Sequence, residues 1–570
     1  MAEKEYFIKR EEKFPTAWGK LTIPFFEKAE NNMRKISIIS IILLLATTAF
    51  AQNLQVRDFR IARDIEKSAN GKFSTTHSSM KPYRTTPQTE MSDSIVPMSD
   101  FVAYKLPNDN IYLNILPVYE LGGSYNFARK KDFRIAETLG AIIDFSLKGK
   151  LNINYMLTET YGYKKKISSG NQFDELFPYN FDRIWGFYND KNLASGFFLE
   201  QTFNINYTPA EFFSIEIGNG KHFYGDGKRS LLQSDICNNY PYLKVETEFL
   251  NFKYSCVWSM LDEGLYLRYL PTADWGYTNI KSFQERCKFN VTHYLDYRIG
   301  NHVNVAIFES VMSSKFLSFE YFNPVIFLRP LEFSMGSNEN ALLGVNMKVS
   351  FSQKNCIYGQ VVLDDVIVGQ LMNDVKHRLN SSYTGQYGWF ANKWGIQGGL
   401  KFFDMFKVKG LDCFVEGNIV RPYTYSHSQQ ELTYTHAYKP LAHPLGANFV
   451  EGLCGISYFN DVIECALEMS YAIVGCDSSF NSHFGQNVFY PTMDAYQPSQ
   501  NNIPVSSYNN VLLQGIRTNV ATVKLDIAYY PLKNKALSVF AEIAMRYNSN
   551  ELRKDKYLGV NIGVRSRLVK

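Results

Sequence analysis

The chain has 570 residues, of which 45% are hydrophobic, 15% aromatic and only 20% charged, and its formal net charge is +5. This near balance of charges, with no clustered Lys and Arg, argues against a nucleic-acid-binding surface, so nucleic acid is not an expected partner. After Ala51 no run of about 20 apolar residues occurs, which excludes membrane-spanning helices.

Residues 33–51 have the pattern of a signal peptide. The basic pair Arg34-Lys35 precedes an apolar stretch at 36–46, and Ala49-Phe50-Ala51 is a small-x-small cleavage site. The apolar stretch is shorter than the roughly 20 residues that an anchoring helix needs. We therefore expect an exported protein, and we interpret residues 1–32 as a misassigned start or a disordered N-terminal extension.

Residues 52–108 are polar, and the part from Pro82 to Ser99 is rich in Pro, Ser and Thr. Such a composition is typical of a flexible linker. We expect a periplasmic segment without a packed core.

From residue 109 to 570 apolar and polar residues alternate in repeated runs. Examples are residues 145–155, Val523 to Tyr529, Val539 to Met545 and Leu558 to Val564. A period of two residues predicts β-strands with one apolar and one polar face. This region is therefore interpreted as a single large β-domain.

Two features favour a membrane barrel over a soluble sandwich, which would also alternate. Full charges lie in mid-strand at Lys244, Glu246 and Glu248, and short connections such as 531–535 contrast with long ones such as 476–510. In hydrocarbon an unpaired amide costs several kcal/mol, so only helices or closed sheets can span a bilayer. The sequence predicts an all-β fold, a transmembrane antiparallel β-barrel of about 16 to 18 strands with loops folded into the lumen. We expect a monomer in the bacterial outer membrane, in contact with its lipid.

The eight cysteines form no CxxC pair and have no histidine at metal-ligand spacing. No metal site and no cofactor are therefore expected. Cys413 and Cys465 are in phase with apolar neighbours, so we interpret them as small hydrophobic residues facing lipid. Disulfide pairing in an oxidising compartment is the alternative.

The region Gly218 to Asp235 is rich in glycine. It resembles a phosphate-binding loop only weakly, because it has no GK[ST] ending. We expect a structured loop in the barrel mouth or lumen, where Asp226, Lys228 and Arg229 are candidate residues for binding an anionic ligand. A plain extracellular loop is the alternative.

A second irregular region runs from Tyr321 to Ser337 and contains two prolines, which do not suit a central strand. We expect a loop inside the barrel, with Arg329 as a candidate ligand-binding residue or as the partner of a lumenal acid. Glu309 and Glu332 are predicted to face the lumen.

Asp364 and Asp365 end a predicted strand, and we expect both in the lumen. Paired carboxylates can act as acid and base on a glycoside, but a salt bridge to a lumenal arginine is the preferred interpretation. The nine histidines show no local Ser/His/Asp arrangement, and no catalytic residues are predicted.

Several segments resemble one family of outer-membrane proteins. They are FYGDGKRSLLQSD at 223–235, FNPVIFLRPLEF at 322–333, Leu363-Asp364-Asp365 and Asn392-Lys393-Trp394-Gly395. These segments are similar to those of Wzi-type capsule-assembly barrels and of the related gliding-motility-associated outer-membrane proteins. The resemblance implies an 18-stranded barrel whose lumen is blocked by loops, which engages surface polysaccharide and has no enzymatic activity. It does not extend to residues 53–108, where the capsule proteins have a periplasmic helical bundle.

The first hypothesis is therefore a non-enzymatic barrel that binds or organises surface exopolysaccharide, in capsule attachment, adhesion or gliding-type motility. The alternative is a porin-like channel for small solutes. An outer-membrane hydrolase is the third and least favoured reading.

Overall fold

The computed structural model describes fifteen ranges of the chain. They are residues 59–71, 77–83, 103–105, 111–127, 132–165, 193–262, 287–314, 321–325, 339–352, 354–380, 382–437, 439–478, 482–494, 504–532 and 537–566. The predicted signal peptide, the extension before it, Arg329 and Glu332 lie outside these ranges. No helix within them is both long enough and apolar enough to cross a membrane.

The chain forms a closed antiparallel barrel of eighteen strands. In chain order, β1 to β18 are Ile111–Asn126, Asp132–Leu147, Leu151–Lys165, Leu193–Ala210, Phe213–Gly220, Tyr240–Phe249, Phe252–Asp262, Cys287–Ile299, Val303–Ser313, Asn340–Ser350, Asn355–Leu363, Trp394–Phe402, Leu411–Val420, Phe449–Phe459, Ile463–Cys476, Ile516–Tyr529, Leu537–Ser549 and Lys554–Ser566. The barrel closes where β18 pairs with β1, from Gly559↔Asn126 to Arg565↔Glu120. The predicted all-β transmembrane barrel is confirmed, at the upper end of the predicted strand number.

Among the described residues, two helices and several short strands accompany the barrel. Helix α1 is Phe59–Ser68 and helix α2 is Val368–Leu379. The short strands are Met80–Lys81 paired with Phe223–Tyr224, Thr435–His436 with Lys439–Pro440, Met493–Asp494 with Pro504–Val505, and Ala103–Lys105 with β1. Single 3-10 turns occupy Met405–Lys407 and Gln430–Leu432.

Alternation along each strand separates an apolar outer wall from a polar lumen. On β17 the outward residues Val539, Ile543 and Met545 are exposed, whereas Ser538 and Arg546 are buried inside the barrel. The predicted faces of β16, β17 and β18 agree with this pattern. An apolar exterior suits hydrocarbon, and a polar interior suits side chains that pair across the lumen.

The run at 145–155 is not one strand, as the alternation indicated, but a hairpin. β2 ends at Leu147 and β3 begins at Leu151, with Leu147 paired to Leu151. Lys148 and Gly149 between them have φ values of 52° and 64°. Because the turn has three residues, odd-numbered residues lie on the same face of the sheet in both strands. The alternation therefore continues across the turn and does not reveal it.

The two barrel ends differ in the length of their connections. The short-turn end carries connections such as 148–150, 211–212, 250–251 and 300–302, whereas the long-loop end carries 221–239, 364–393, 421–448 and 477–515. The N-terminal end of β1 and the C-terminal end of β18 both lie at the short-turn end. This arrangement is the one found in outer-membrane barrels, whose periplasmic turns are short.

Loops from the long-loop end fill the lumen, as predicted. Leu231 and Leu232 of the 221–239 loop are fully buried, in one cluster with the inward strand residues Phe308 and Val362. The 421–448 loop lies against it, and the Tyr425 hydroxyl donates a hydrogen bond of 2.7 Å to the Leu231 carbonyl. The lumen therefore has an apolar core of its own beneath its polar wall.

The N-terminal segment is also folded into the barrel. The expectation of a polar segment without a packed core is wrong for residues 59–71 and 77–83, which include buried Ile65, Ala69 and Met80. Arg298 of β8 donates hydrogen bonds to the carbonyls of Ala69 (3.2 Å) and Gly71 (2.9 Å). The rest of the predicted linker, residues 84–102, lies outside the described ranges.

A different connection packs on the outside of the barrel. Residues Tyr321–Val325, between β9 and β10, lie against the outward side chains of β7 and β8: Phe322 stacks on Trp258 with ring centroids 5.5 Å apart, and the Trp258 indole donates 3.0 Å to the Tyr321 carbonyl. The prediction of a lumenal loop is therefore wrong for these residues. We call them the outer-wall segment.

The predicted lumenal position of Glu309 is also wrong. On β9 the inward residues are even-numbered, such as Phe308 in the lumenal core, whereas Val311 belongs to the buried cluster on the outer wall. Glu309 thus faces outward, paired in register with His293, and is only 1% exposed. Its charge suggested the lumen, but its position in the strand places it on the other face.

Candidate functional site

A cavity of about 490 Å³ lies inside the barrel, between α1 and the 221–239 loop. Its charged lining consists of Arg63, Glu66, Lys81, Lys228, Arg229, Asp235, Lys401 and Asp412. Cations outnumber carboxylates in this set, but each of the five cations is paired with a carboxylate of the lining or of the surrounding wall. The cavity is therefore polar and largely charge-compensated.

Lys228 and Arg229, both predicted as ligand-binding residues, reach this cavity. The Lys228 ammonium lies 2.8 Å from Glu468 and its side chain is 46% exposed. Arg229 is more enclosed and lies 3.6 Å from Glu451. An anionic ligand at Lys228 would have to compete with one carboxylate, at a position that water already reaches.

Their position is fixed by Glu416 of β13. Its carboxylate accepts hydrogen bonds from the backbone amides of Lys228 (2.7 Å) and Arg229 (3.2 Å), and from the Tyr358 hydroxyl (2.8 Å). Gln360 of β11 similarly accepts from the Leu231 amide at 2.8 Å. Two lumenal side chains thus hold the glycine-rich loop by its backbone.

Asp226 does not line the cavity. It is buried, accepts hydrogen bonds from Ser78 (2.6 Å) and Asn346 (2.9 Å), and lies 3.7 Å from the ammonium of Lys348. Its role in the fold is to join the N-terminal segment, the 221–239 loop and β10. The structure separates it from the two cations next to it in sequence.

Asp364 and Asp365 lie at the long-loop end, where β11 ends. The Lys393 ammonium lies 3.2 Å from Asp365 and 3.9 Å from Asp364, and Asp364 accepts a hydrogen bond from the Tyr425 amide at 2.8 Å. The expected arginine partner is therefore a lysine. Burial would lower the pKa of Lys393, but the two carboxylates outweigh it and raise that pKa.

Ion pairs hold helix α1 at the short-turn end of the barrel. Arg63 contacts Asp404 (2.6 Å) and Asp412 (2.7 Å), Arg60 contacts Glu464 (2.8 Å), and Lys67 contacts Asp404 (2.6 Å). The spacing of these three cations along the helix places them on one side. The sequence contained this signal, but the composition of residues 52–108 outweighed it in the prediction.

Glu66 lies on the cavity side of the same helix. Its carboxylate pairs with Lys81 (2.8 Å) and with Lys401 of β12 (2.7 Å). Burial alone would raise the pKa of Glu66, but the two ammonium groups outweigh it and hold that pKa well below its ordinary value. The carboxylate is thus charged and fully compensated inside the barrel.

A series of aromatic rings lies across three loops at the long-loop end. Successive centroid distances are 5.8 Å for Trp389–Phe390, 6.5 Å for Phe390–Tyr423, 5.1 Å for Tyr423–His483 and 5.8 Å for His483–Tyr490. Trp389, Phe390 and Tyr490 are partly exposed. Exposed aromatic faces can stack on apolar faces of ligands. Local sequence patterns did not indicate which rings meet, because the rings come from three separate loops.

Within the described ranges, no group of three or more His, Cys, Asp or Glu side chains could hold a metal ion. All eight cysteines are free, and Cys413 and Cys465 face outward from β13 and β15.

Comparison with solved structures shows a likeness over nearly the whole chain. The barrel resembles Wzi. That protein is described as an outer-membrane protein involved in group 1 capsule assembly in Escherichia coli and as a carbohydrate-binding β-barrel; the TM-score is 0.50 at 11% identity, over 90% of this chain and 99% of Wzi. At this identity the likeness is one of fold.

Two other solved structures also match. Pseudomonas aeruginosa OpdK with vanillate has a TM-score of 0.41 at 8% identity, over 80% of this chain and 98% of OpdK. Acinetobacter baumannii OccAB2 has a TM-score of 0.40 at 8% identity, over 80% of this chain and 98% of OccAB2. No family model and no curated protein sequence matches the chain.

Proposed function

We propose that this protein is a non-enzymatic barrel of the bacterial outer membrane that binds surface exopolysaccharide at its long-loop end. The observation that carries the proposal is the filled lumen, in which the N-terminal segment and the 221–239 loop pair directly, Met80 with Tyr224. A barrel filled in this way is suited to presenting loops rather than to passing solutes. The description of Wzi as carbohydrate-binding supports the same choice.

The partly exposed rings Trp389, Phe390 and Tyr490 form the proposed glycan surface. Lys228 and Arg229 are the proposed contacts for an anionic group, such as the carboxylate of a uronic acid, at a second site in the lumenal cavity, which is separate from the ring surface because the 221–239 loop lies between them. Capsule attachment, adhesion and gliding-type motility are the processes in which such binding would act.

Substitution of Trp389 or Tyr490 by Ala should weaken binding of purified exopolysaccharide by about three- to tenfold each, the range that one aromatic contact of roughly 0.5 to 1.5 kcal/mol supplies. Calorimetric titration of the detergent-solubilised barrel measures this. The matched control is Phe406→Ala, which removes an exposed aromatic ring from the short-turn end. Equal loss in the control would contradict the proposed surface.

Conductance in planar bilayers separates this proposal from the porin-like alternative. A filled barrel should pass little current, whereas a large and steady open state would favour a channel for small solutes.

The cationic contact is tested by measuring the affinity of the Lys228→Ala variant for uronate-containing and for neutral oligosaccharides. Only the uronate-containing ligand should lose affinity.

A further inference from the structure

Helix α2 presents its apolar side to the exterior. Val368, Met372, Val375 and Leu379 are 72%, 49%, 41% and 82% exposed, and no residue of the helix is buried. Their spacing of four, three and four residues places them in one stripe along the helix. We call these four residues the apolar stripe.

The polar side of α2 faces the protein. The Asp374 carboxylate accepts hydrogen bonds from the Gly388 amide (2.6 Å) and the Asn392 side chain (3.0 Å), and it lies 3.3 Å from Arg421. His377 stacks on Tyr387 with ring centroids 3.4 Å apart. A helix on the surface of a soluble protein has the opposite orientation, with its apolar side against the core.

Two exposed cations flank the apolar stripe. At about 100° per residue, Lys376 and Arg378 lie on opposite flanks of the stripe, and both are exposed. An apolar face bordered by cations is typical of helices that lie in a membrane interface, where the cations meet lipid phosphates.

The position of α2 is continuous with the lipid-facing wall. The helix begins five residues after Leu363, an exposed outward residue at the end of β11, a span of less than about 18 Å. Asn392, which anchors Asp374, lies two residues before β12, where Ile396 is exposed on the outer wall. The helix is therefore held at the rim of the barrel, above two strands that face lipid.

We propose that α2 is a membrane-interface helix, with its apolar stripe among the acyl chains of the outer leaflet and Lys376 and Arg378 at lipid phosphates. A protein partner is less suited to this face, because four side chains offer far less than the roughly 800 Å² per partner of a stable interface. The proposal does not rest on glycan binding. It requires only that the barrel spans a membrane.

Photolabelling tests the proposal on the full chain. The protein is reconstituted in phosphatidylethanolamine vesicles with phosphatidylglycerol or lipid A, together with a phospholipid carrying a diazirine in its acyl chain. After irradiation, mass spectrometry should find labelled peptides from α2 as well as from β11 and β12, whose outward side chains are the internal standard. An unlabelled α2 beside labelled strands would overturn the proposal.

The variant Val368→Asn/Met372→Asn/Leu379→Asn should lose the label on α2 and keep it on the strands. Leu552→Asn, which removes an exposed leucine from the β17–β18 connection at the same barrel end, should leave the label on α2 unchanged. A heat-shift gel verifies that each variant is a folded barrel. Retained labelling of α2 in the triple variant would contradict the assignment of the stripe.

The cations are tested separately by Lys376→Glu/Arg378→Glu. Labelling of α2 should fall in vesicles that contain phosphatidylglycerol or lipid A and change little in phosphatidylethanolamine alone. A larger loss with lipid A than with phosphatidylglycerol identifies its phosphates as the preferred source. No loss in either anionic vesicle would overturn the phosphate contact.

Discussion

At the residue scale, Asp477 at the start of the 477–515 loop shows the effect of burial on a carboxylate. Within the part of the chain that the structure describes, no cation pairs with it to outweigh that effect. Burial raises the pKa of Asp477 to about 6, although the hydrogen bond it accepts from the Phe484 amide (2.6 Å) acts in the opposite direction. The folded loop therefore favours the neutral acid. Its charged form destabilises the loop above about pH 6, and the effect is absent below the ordinary pKa of 3.8.

Asp477→Asn should stabilise this loop at pH 8 by about 1 to 3 kcal/mol, since one pKa unit corresponds to about 1.4 kcal/mol. Asparagine keeps the acceptor for Phe484 and removes the charge. Hydrogen exchange of peptides covering 477–494 should slow at pH 8, and the difference from the unsubstituted protein should shrink as the pH falls from 6 towards 4. Asp235→Asn, at an exposed carboxylate, is the control. A benefit that is the same at pH 4 and pH 8 would show that charge is not the cause.

Individual polar residues were predicted less well than the strands that carry them. Lys228 and Arg229 do reach the cavity. Asp226, two positions before Lys228, instead accepts hydrogen bonds from Ser78 and Asn346, which are distant in the sequence. Such partners are set by barrel register, which local spacing does not encode. Glu309 was assigned to the lumen because it is charged, whereas the parity of its strand, visible from Phe308 and Ser310, places it outside.

At the scale of elements, the outer-wall segment shows that part of the outward face is covered by protein. Trp258, Phe289 and Val291 face outward but are buried, whereas Ile307 on β9 is exposed. The covered patch lies towards the long-loop end of β7, β8 and β9. Phe322, with Trp258 and Phe289 stacked against it, fixes the segment there.

Trp258→Phe and Trp258→Ala should detach the outer-wall segment in graded steps. The phenylalanine removes the hydrogen bond to the Tyr321 carbonyl, worth about 1 kcal/mol, and one of the two fused rings of the indole. Alanine removes the whole stacked ring system, up to about 3 to 5 kcal/mol in total. Limited proteolysis within the 314–339 connection should therefore be fastest for alanine. The control Tyr529→Ala removes an exposed outward ring from β16. Equal cleavage rates in Trp258→Ala and this control would contradict the role of the stack.

Elements with a period of two were predictable, and those held by distant partners were not. β16 to β18 follow the alternation along their length, whereas α1 is a ten-residue helix with a polar surface. Its stability comes from contacts with Asp404, Asp412 and Glu464, more than 300 residues away in sequence. Its apolar side is short, with Ile65 and the following Ala69 buried, so the local pattern is weak beside the ion pairs that hold the helix to the barrel wall.

At the scale of the whole molecule, two obstructions lie in series along the lumen and contact each other where Met80 pairs with Tyr224. Helix α1 lies at the short-turn end, and the 221–239 loop lies deeper, held by Gln360 and Glu416. Ions must pass both, so either obstruction alone limits the current.

Deletion of residues 52–83 alone, or Gln360→Ala/Glu416→Ala alone, should give only small changes in conductance. The combination should produce a clearly larger open state in planar bilayers, after heat-shift gels verify that each barrel is folded. A large channel from the deletion alone would mean that the loop does not block the lumen.

The strand edge of β1 at the barrel closure has a consequence for self-association. Among the described residues, β18 pairs with β1 from Glu120 to Asn126, and Ala103–Lys105 pairs with Tyr112 to Asn114 on the same side of β1. A bare strand edge is a template on which another polypeptide can add. Ala103–Lys105 therefore shields this part of β1, and a chain shortened to start at residue 109 would expose the amides and carbonyls of Tyr112 to Asn114 to neighbouring molecules and favour aggregation.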